Sequence, residues 1–98
     1  MGDLQRAESA CEAILTMDPN MSEAWHLLGL LRNEGNDTRG AIELIRQAID
    51  LDPTNAQFHF SLASVFHSLG YEQRARHIYS HARQLDPALA PVSEDMQN

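Results

Sequence analysis

Lysine is missing from this chain of 98 residues, and cysteine occurs only once. The seven basic side chains are all arginines, which are scattered among 14 acidic residues, so the formal net charge is −7. We therefore expect no nucleic-acid partner, because binding to phosphates requires clustered basic side chains. The acidic balance slightly favours basic or neutral peptide partners, although it more often serves solubility alone. The single Cys11 excludes an internal disulfide.

Long apolar runs are also missing. No stretch approaches the length of a membrane span, and the chain does not open with a basic and then apolar leader. We therefore expect a soluble, cytoplasmic protein with no membrane partner. Hydrophobic residues make up 43% of the chain, which is enough for the modest core of one small domain.

Catalytic signatures are missing as well. The sequence contains no Ser-His-Asp order, no glycine-rich phosphate loop and no paired catalytic carboxylates. His77 and His81 are four residues apart, a spacing that can hold a metal on one helix face, but no third ligand accompanies them and we interpret them as a solvated pair. Cys11 falls on an apolar stripe and is interpreted as a buried thiol. We expect a protein that is not an enzyme and holds neither cofactor nor metal.

What the chain does contain is an internal repeat of 34 residues. Moved by this period, residues 20–53 fall on residues 54–87, and their second half falls on residues 2–19. The same period separates three Asp-Pro pairs and three alanines, Ala7, Ala41 and Ala75. A period sustained in this way is typical of a stack of identical supersecondary units. We predict one domain with a half unit at 1–19, full units at 20–53 and 54–87, and a flexible tail at 88–98.

Five helices in antiparallel pairs are predicted, and the first pair has only its second member. Asp3 is expected to cap a first helix that runs to about Thr16, and Pro19 ends it because proline disfavours a helical residue before it. The predicted inward stripe of this helix has a helical spacing and contains Leu4, Ala7, Ala10 or Cys11, Ile14 and Met17.

The second and fourth helices begin with sequences that resemble capping boxes. Asn20 is followed by Glu23, and Thr54 is followed by Gln57, each at the spacing that such a box requires.

The remaining helix ends are marked by residues with special backbone preferences. Gly35-Asn36 is predicted to break the second helix, and Asp37 to cap the third. Gly70 is expected to end the fourth helix, and the fifth is predicted to follow it to about residue 85.

The two full units resemble the tetratricopeptide-repeat family. One resembles it through Trp25-x-x-Leu28-Gly29, Ala41-x-x-x-Ile45-x-x-Ala48 and Pro53, and the next through Leu62-Ala63-x-x-Phe66, Gly70, Ala75-x-x-x-Tyr79-x-x-Ala82 and Pro87. The chain departs from the family pattern at His59, where the family prefers tryptophan, and at Arg32, where it prefers an aromatic residue. The resemblance implies an all-α solenoid of antiparallel helix pairs, wound as a right-handed superhelix.

The resemblance also implies a groove that is lined by the first helix of each pair and binds peptides. The positions that match the lining are Glu23, His26, Leu27, Leu30 and Asn33 in one unit and Gln57, Phe60, Ser61, Ser64 and His67 in the next. Leu30 and Phe60 have no obvious role in the core, although solitary exposed apolar residues are normal. One family subtype clamps the carboxylate of chaperone tails with lysine, arginine and asparagine, and without lysine this binding is not expected.

The leading hypothesis is a protein–protein interaction module that binds a peptide segment of a partner in this groove. The alternative is a fragment or regulatory arm of a larger enzyme of the same family, such as a sulfo- or glycosyltransferase, or a self-associating scaffold. Repeat units cannot bury their apolar faces alone. A homodimer through an uncapped end is therefore predicted, at the fifth helix with Ile78, Tyr79 and Leu85, or else at the first helix.

Overall fold

The computed structural model describes residues 2–89. Five α-helices follow one another: α1 (Gly2–Met17), α2 (Ser22–Glu34), α3 (Thr38–Leu51), α4 (Ala56–Ser68) and α5 (Glu72–Leu85). A short 3₁₀ turn, Pro87–Leu89, follows α5, and residues 2–89 contain no strand. The predicted all-α class with five helices is confirmed. Most of the predicted tail lies outside the described residues.

The chain divides into two compact units, unit 1 (Met1–Pro53) and unit 2 (Thr54–Asn98). In unit 1, α2 packs against α3, and only three residues connect them, which makes them antiparallel neighbours. Ala41, Ile45 and Ala48 of α3 are completely buried. A Cβ atom on Gly29 would lie 2.8 Å from Ile45 Cγ1 and 3.1 Å from the carbonyl oxygen of Ala41. The glycine therefore permits the close approach of the two helices.

Helix α1 packs against α2 in the same unit. The buried residues of this contact are Cys11 and Leu15 with Ala24 and Leu28, and Trp25, Leu31 and Leu44 pack around them. Unit 2 is simpler, because α4 packs against α5 and against the 3₁₀ turn. Its core consists of apolar residues from both helices, namely Ala56, Phe58, Leu62, Ala63, Val65, Phe66, Ala75 and Ala82.

The stripe predicted for α1 was partly wrong. Ile14 is 42% exposed and Met17 is 88% exposed, whereas Leu15, which was not predicted, is buried. The reason is geometric, since Cys11 and Leu15 form one i, i+4 face towards α2, and Ile14 and Met17 lie on a neighbouring face.

Two of the predicted helix caps were also wrong. Helix α2 starts after Met21 without a side-chain cap, and the N–H group of Asn20 donates to Asp18 Oδ1 at 3.2 Å in the preceding turn. Helix α4 is capped by Asn55 instead of Thr54, since Asn55 Oδ1 accepts from two N–H groups of the first turn at 3.1 and 3.3 Å. A smaller correction concerns Asp3, which was predicted to cap α1 and lies inside its first turn.

The other predicted helix ends are confirmed. The N–H group of Gly40 donates to Asp37 Oδ1 at 3.0 Å, so Asp37 caps α3. Asn36 and Gly70 have φ angles of 71° and 87°, the left-handed conformation that ends a helix. Within residues 2–89, no helix is both long and apolar enough to span a membrane.

Candidate functional site

The ten positions predicted to line a groove form one face in each unit. The α2 face consists of Glu23, His26, Leu27, Leu30 and Asn33, and the α4 face consists of Gln57, Phe60, Ser61, Ser64 and His67. Each residue of the α2 face is separated from its counterpart on the α4 face by one repeat period. None of the ten belongs to the fully buried core. Both faces therefore lie outside the fully buried core.

On the α2 face, the largest apolar exposure belongs to Leu27, whose exposed fraction is 49%. Glu23 is exposed, and His26, Leu30 and Asn33 are half-buried. The hydroxyl group of Thr38 donates to Asn33 Oδ1 at 3.3 Å, which ties the end of this face to the start of α3. Burial lowers the pKa of His26, and the charge of Glu23 partly opposes this effect. The imidazole is therefore mainly neutral at neutral pH.

On the α4 face, Gln57, Ser64 and His67 are exposed, while Phe60 and Ser61 are half-buried. The ring of Phe60 meets the ring of Tyr79 on α5 edge to face, with centroids 5.1 Å apart. Sequence reasoning missed this contact and assigned Phe60 no packing role. His67 Nδ1 lies 3.0 Å from Glu72 Oε1, across the turn that joins α4 to α5. Phe60 is thus both a face residue and part of the contact between the two helices.

Arg32 carries an ion cluster that sequence reasoning did not find. Its guanidinium group lies 3.3 Å from carboxylate oxygens of Glu8 and Glu12 on α1, and 3.6 Å from Asp37 Oδ2. The position is one where the family pattern prefers an aromatic residue. In this chain, charge attraction therefore supplies part of the contact that an aromatic ring would make by packing. The i, i+4 spacing of the two glutamates could have indicated this cluster, because it places both carboxylates on one helix face within reach of one arginine.

Trp25 and His59 occupy the same position in the two units. The indole N–H group of Trp25 donates to the carbonyl oxygen of Pro19 at 2.7 Å and holds the turn between α1 and α2. In unit 2, the smaller His59 meets His81 edge to face at a centroid distance of 4.7 Å. Beside them lies an open cavity of about 280 Å³ that Leu62, His77 and Ile78 also line.

The remaining candidate residues are the potential metal ligands, Cys11 and the residues at the end of α5. The described residues contain no group of three or more His, Cys, Asp or Glu side chains arranged to hold a metal. Cys11 is 3% exposed, and burial, helped by Glu12 and Glu8, raises the pKa of its thiol. The interpretation of Cys11 as a buried thiol is confirmed. At the C-terminal end, Ile78, Tyr79 and Leu85 are half-buried, and the 3₁₀ turn packs on α5.

Comparison with known proteins places the chain among repeat proteins. The sequence profile described as TPR repeat matches residues 29–70. The human PEX5-related protein is 31% identical over 74 residues, which cover 76% of this chain and 12% of that protein. The peroxisomal targeting signal receptor of Kluyveromyces lactis is 32% identical over 72 residues, 74% of this chain and 13% of the receptor.

A solved structure agrees with these sequence matches. The structure of a mutant O-GlcNAc transferase from Thermobaculum terrenum superposes with a TM-score of 0.83 and 39% identity, over 90% of this chain and 17% of that one. The chain thus spans less than a fifth of each of the three proteins. The similarity agrees with the sequence period and the helix pairs described above. The chain belongs to the tetratricopeptide-repeat family.

Proposed function

We propose that the chain is a protein-interaction module whose α2 face and α4 face each offer a binding surface to a peptide segment of a partner protein. The observation that carries this proposal is Leu27, which is 49% exposed although its neighbour Leu28 is buried in the core. A large apolar side chain in this position offers a contact that a peptide side chain can cover. The polar residues around it, Glu23 and Asn33 among them, provide hydrogen-bonding groups at the rim.

Two further observations support this function. The tetratricopeptide repeat is a protein-interaction fold, and one relative is named as a receptor for a targeting signal. The net charge of −7 favours a basic or neutral peptide over an acidic one.

The experiment begins with the selection of binders to the whole chain from a random peptide library. A selected peptide is then synthesised with a fluorescent label, and its affinity is measured by fluorescence anisotropy. We expect Leu27→Ala to weaken binding by about fivefold or more, which corresponds to about 1 kcal/mol for the loss of an apolar anchor. The unfolding midpoint should change little, because about half of the Leu27 side chain already faces solvent.

Leu69→Ala is the matched control, because Leu69 is a leucine of similar exposure, 41%, outside both faces. Its variant should bind the selected peptide as the wild type does. Equal affinities for wild type and Leu27→Ala would contradict the proposal, as would equal losses in the two leucine variants. Phe60→Ala is a second probe, but its contact with Tyr79 means that stability must be measured alongside affinity.

A second candidate function is a regulatory arm of a larger enzyme, such as a glycosyltransferase or sulfotransferase. The observation that favours it is the 39% identity to an O-GlcNAc transferase, of which this chain covers 17%. Sequencing of the complete transcript tests it. A catalytic domain in the same reading frame would support this candidate, and a transcript that encodes only repeats would reject it.

A further inference from the structure

The open cavity beside His59 in unit 2 has no role in the function proposed above. It has a volume of about 280 Å³, and the residues that line it belong to α4 and α5. Three of them, His77, His81 and Gln84, are exposed, so the mouth of the cavity is open to solvent. We call this space the His59 cavity. Its lining residues are separate from those of the α4 face.

The internal repeat shows which group occupies the equivalent place in unit 1. There, the indole ring of Trp25 packs against the buried cluster that contains Leu28. One period later, these two positions are His59 and Leu62. Leu62 and Ile78 form the apolar part of the cavity lining. Unit 2 thus leaves apolar surface open beside the smaller imidazole ring, where unit 1 covers such surface with an indole ring.

The rim of the His59 cavity is polar but carries no carboxylate, lysine or arginine. Its residues are His77, Ser80, His81 and Gln84. One period earlier, the corresponding positions are mostly charged, namely Glu43, Arg46, Gln47 and Asp50. A neutral ligand can therefore enter the His59 cavity without removing water from a carboxylate or a guanidinium group. The hydroxyl and amide oxygens at the rim can accept a hydrogen bond from such a ligand.

We propose that the His59 cavity is a binding site for an indole ring, supplied as a tryptophan side chain or as a free indole compound. An indole ring suits the cavity because it combines a flat apolar body with one N–H donor. The ring packs on Leu62 and Ile78, beside the imidazoles of His59 and His81, and its N–H group donates to an acceptor at the rim. The proposal does not depend on the α2 and α4 faces.

Two other kinds of ligand fit the cavity less well. Drug-sized molecules occupy pockets of roughly 300–1,000 Å³, so a cavity of about 280 Å³ suits a ligand with one small ring system. A metal ion needs more ligands than the histidines provide, since residues 2–89 contain no group of three or more His, Cys, Asp or Glu side chains that could hold one. The uncharged rim and the apolar lining therefore favour a small neutral aromatic ligand.

The test uses the whole chain, labelled with ¹⁵N, and two probes, free indole and N-acetyltryptophanamide. We expect indole to cause saturable changes in the amide signals of residues 59–62 and 77–81, with a Kd of about 1 mM or tighter for a ligand of this size. N-acetylalaninamide, which has the same amide groups without the ring, should cause none. Binding of both probes supports a tryptophan side chain as the ligand, and binding of indole alone supports a free indole compound.

His59→Trp tests whether the site is the space of a missing indole ring. The new side chain should occupy the cavity, so the affinity for indole should fall by about tenfold or more. Arg76→Trp is the matched control, because it adds the same ring at an exposed position of α5 outside the cavity. It should change the affinity by less than about twofold.

A second pair of variants makes the test independent of whether His59→Trp folds. Ile78→Glu places a carboxylate in the apolar lining and should weaken indole binding by about tenfold or more, because the bound ring would bury this charge without a partner. Ile14→Glu makes the same change on α1, in unit 1, and should change the affinity by less than about twofold. Circular dichroism shows whether each variant keeps its helices.

Three results would overturn the proposal. The first is that neither indole probe changes the signals of residues 59–62 and 77–81 at about 10 mM, well above the expected Kd. The second is an equal affinity for indole in His59→Trp and Arg76→Trp, both folded. The third is an equal affinity in Ile78→Glu and Ile14→Glu.

Discussion

Replacement of Ile45 by alanine tests the packing on which unit 1 depends. Ile45 has no exposed surface, and its Cγ1 atom fills the space beside Gly29. Three carbon atoms are lost, which costs about 2.4 kcal/mol in transfer free energy, and the cavity adds a further penalty. Gly29, the residue of α2 that faces Ile45, has no side chain that could fill the space left by the lost atoms. We therefore expect Ile45→Ala to destabilise unit 1 by about 3–5 kcal/mol.

Urea denaturation followed by tryptophan fluorescence measures this effect, because the only tryptophan, Trp25, lies in unit 1. Circular dichroism reports the helices of both units in the same experiment. Ile14→Ala is the control, since it removes the same atoms from a side chain that is 42% exposed, and it should cost less than about 1 kcal/mol. Equal losses of stability in the two variants would refute the argument that Ile45 fills the contact between α2 and α3 beside Gly29.

Two further predictions concern protonation and self-association. Burial lowers the pKa of His26 from its ordinary value of 6.5, so protonation favours the unfolded chain and stability should fall as the pH drops below 6.5. His26→Gln should remove part of this fall, and unfolding by urea at about pH 7.5 and about pH 5 measures it. An equal fall in the wild type and the variant would contradict this prediction. The predicted homodimer through the C-terminal end should appear in sedimentation equilibrium and dissociate in Tyr79→Glu. A strict monomer at high micromolar concentration would contradict it.

The sequence was sufficient to predict those parts of the fold that repeat. Ala41 and Ala48 recur in register as Ala75 and Ala82 in the next unit, and all four are buried because the two helices of each pair pack in the same way. The left-handed positions at Asn36 and Gly70 were also predictable, since few residues tolerate that conformation.

The incorrect predictions concern positions where the sequence allows two neighbouring residues or faces, and only tertiary contacts determine which one is used. Asn55 and Thr54 are both good capping residues, and only the path of the chain after Pro53 determines which one reaches the first turn. Along α1, apolar residues occupy two adjacent faces, and periodicity alone does not say which of them contacts α2. The contact of Phe60 with Tyr79 depends on the directions of side chains on two helices. The spacing of residues within one helix gives no information about the side chains of the other.

The ion cluster around Arg32 gives charge a larger share in the attachment of α1 than in the packing of α2 against α3. Helices α2 and α3 are held by apolar surfaces in close contact, which salt does not weaken. Helix α1 buries only two residues against α2 and is also held by Glu8 and Glu12 through one partly exposed guanidinium group. Mobile ions screen partly exposed charges, so ionic strength acts on this helix before it acts on the rest of the unit. A rise in salt concentration should therefore weaken the attachment of α1 to α2 more than it weakens the packing of α2 against α3.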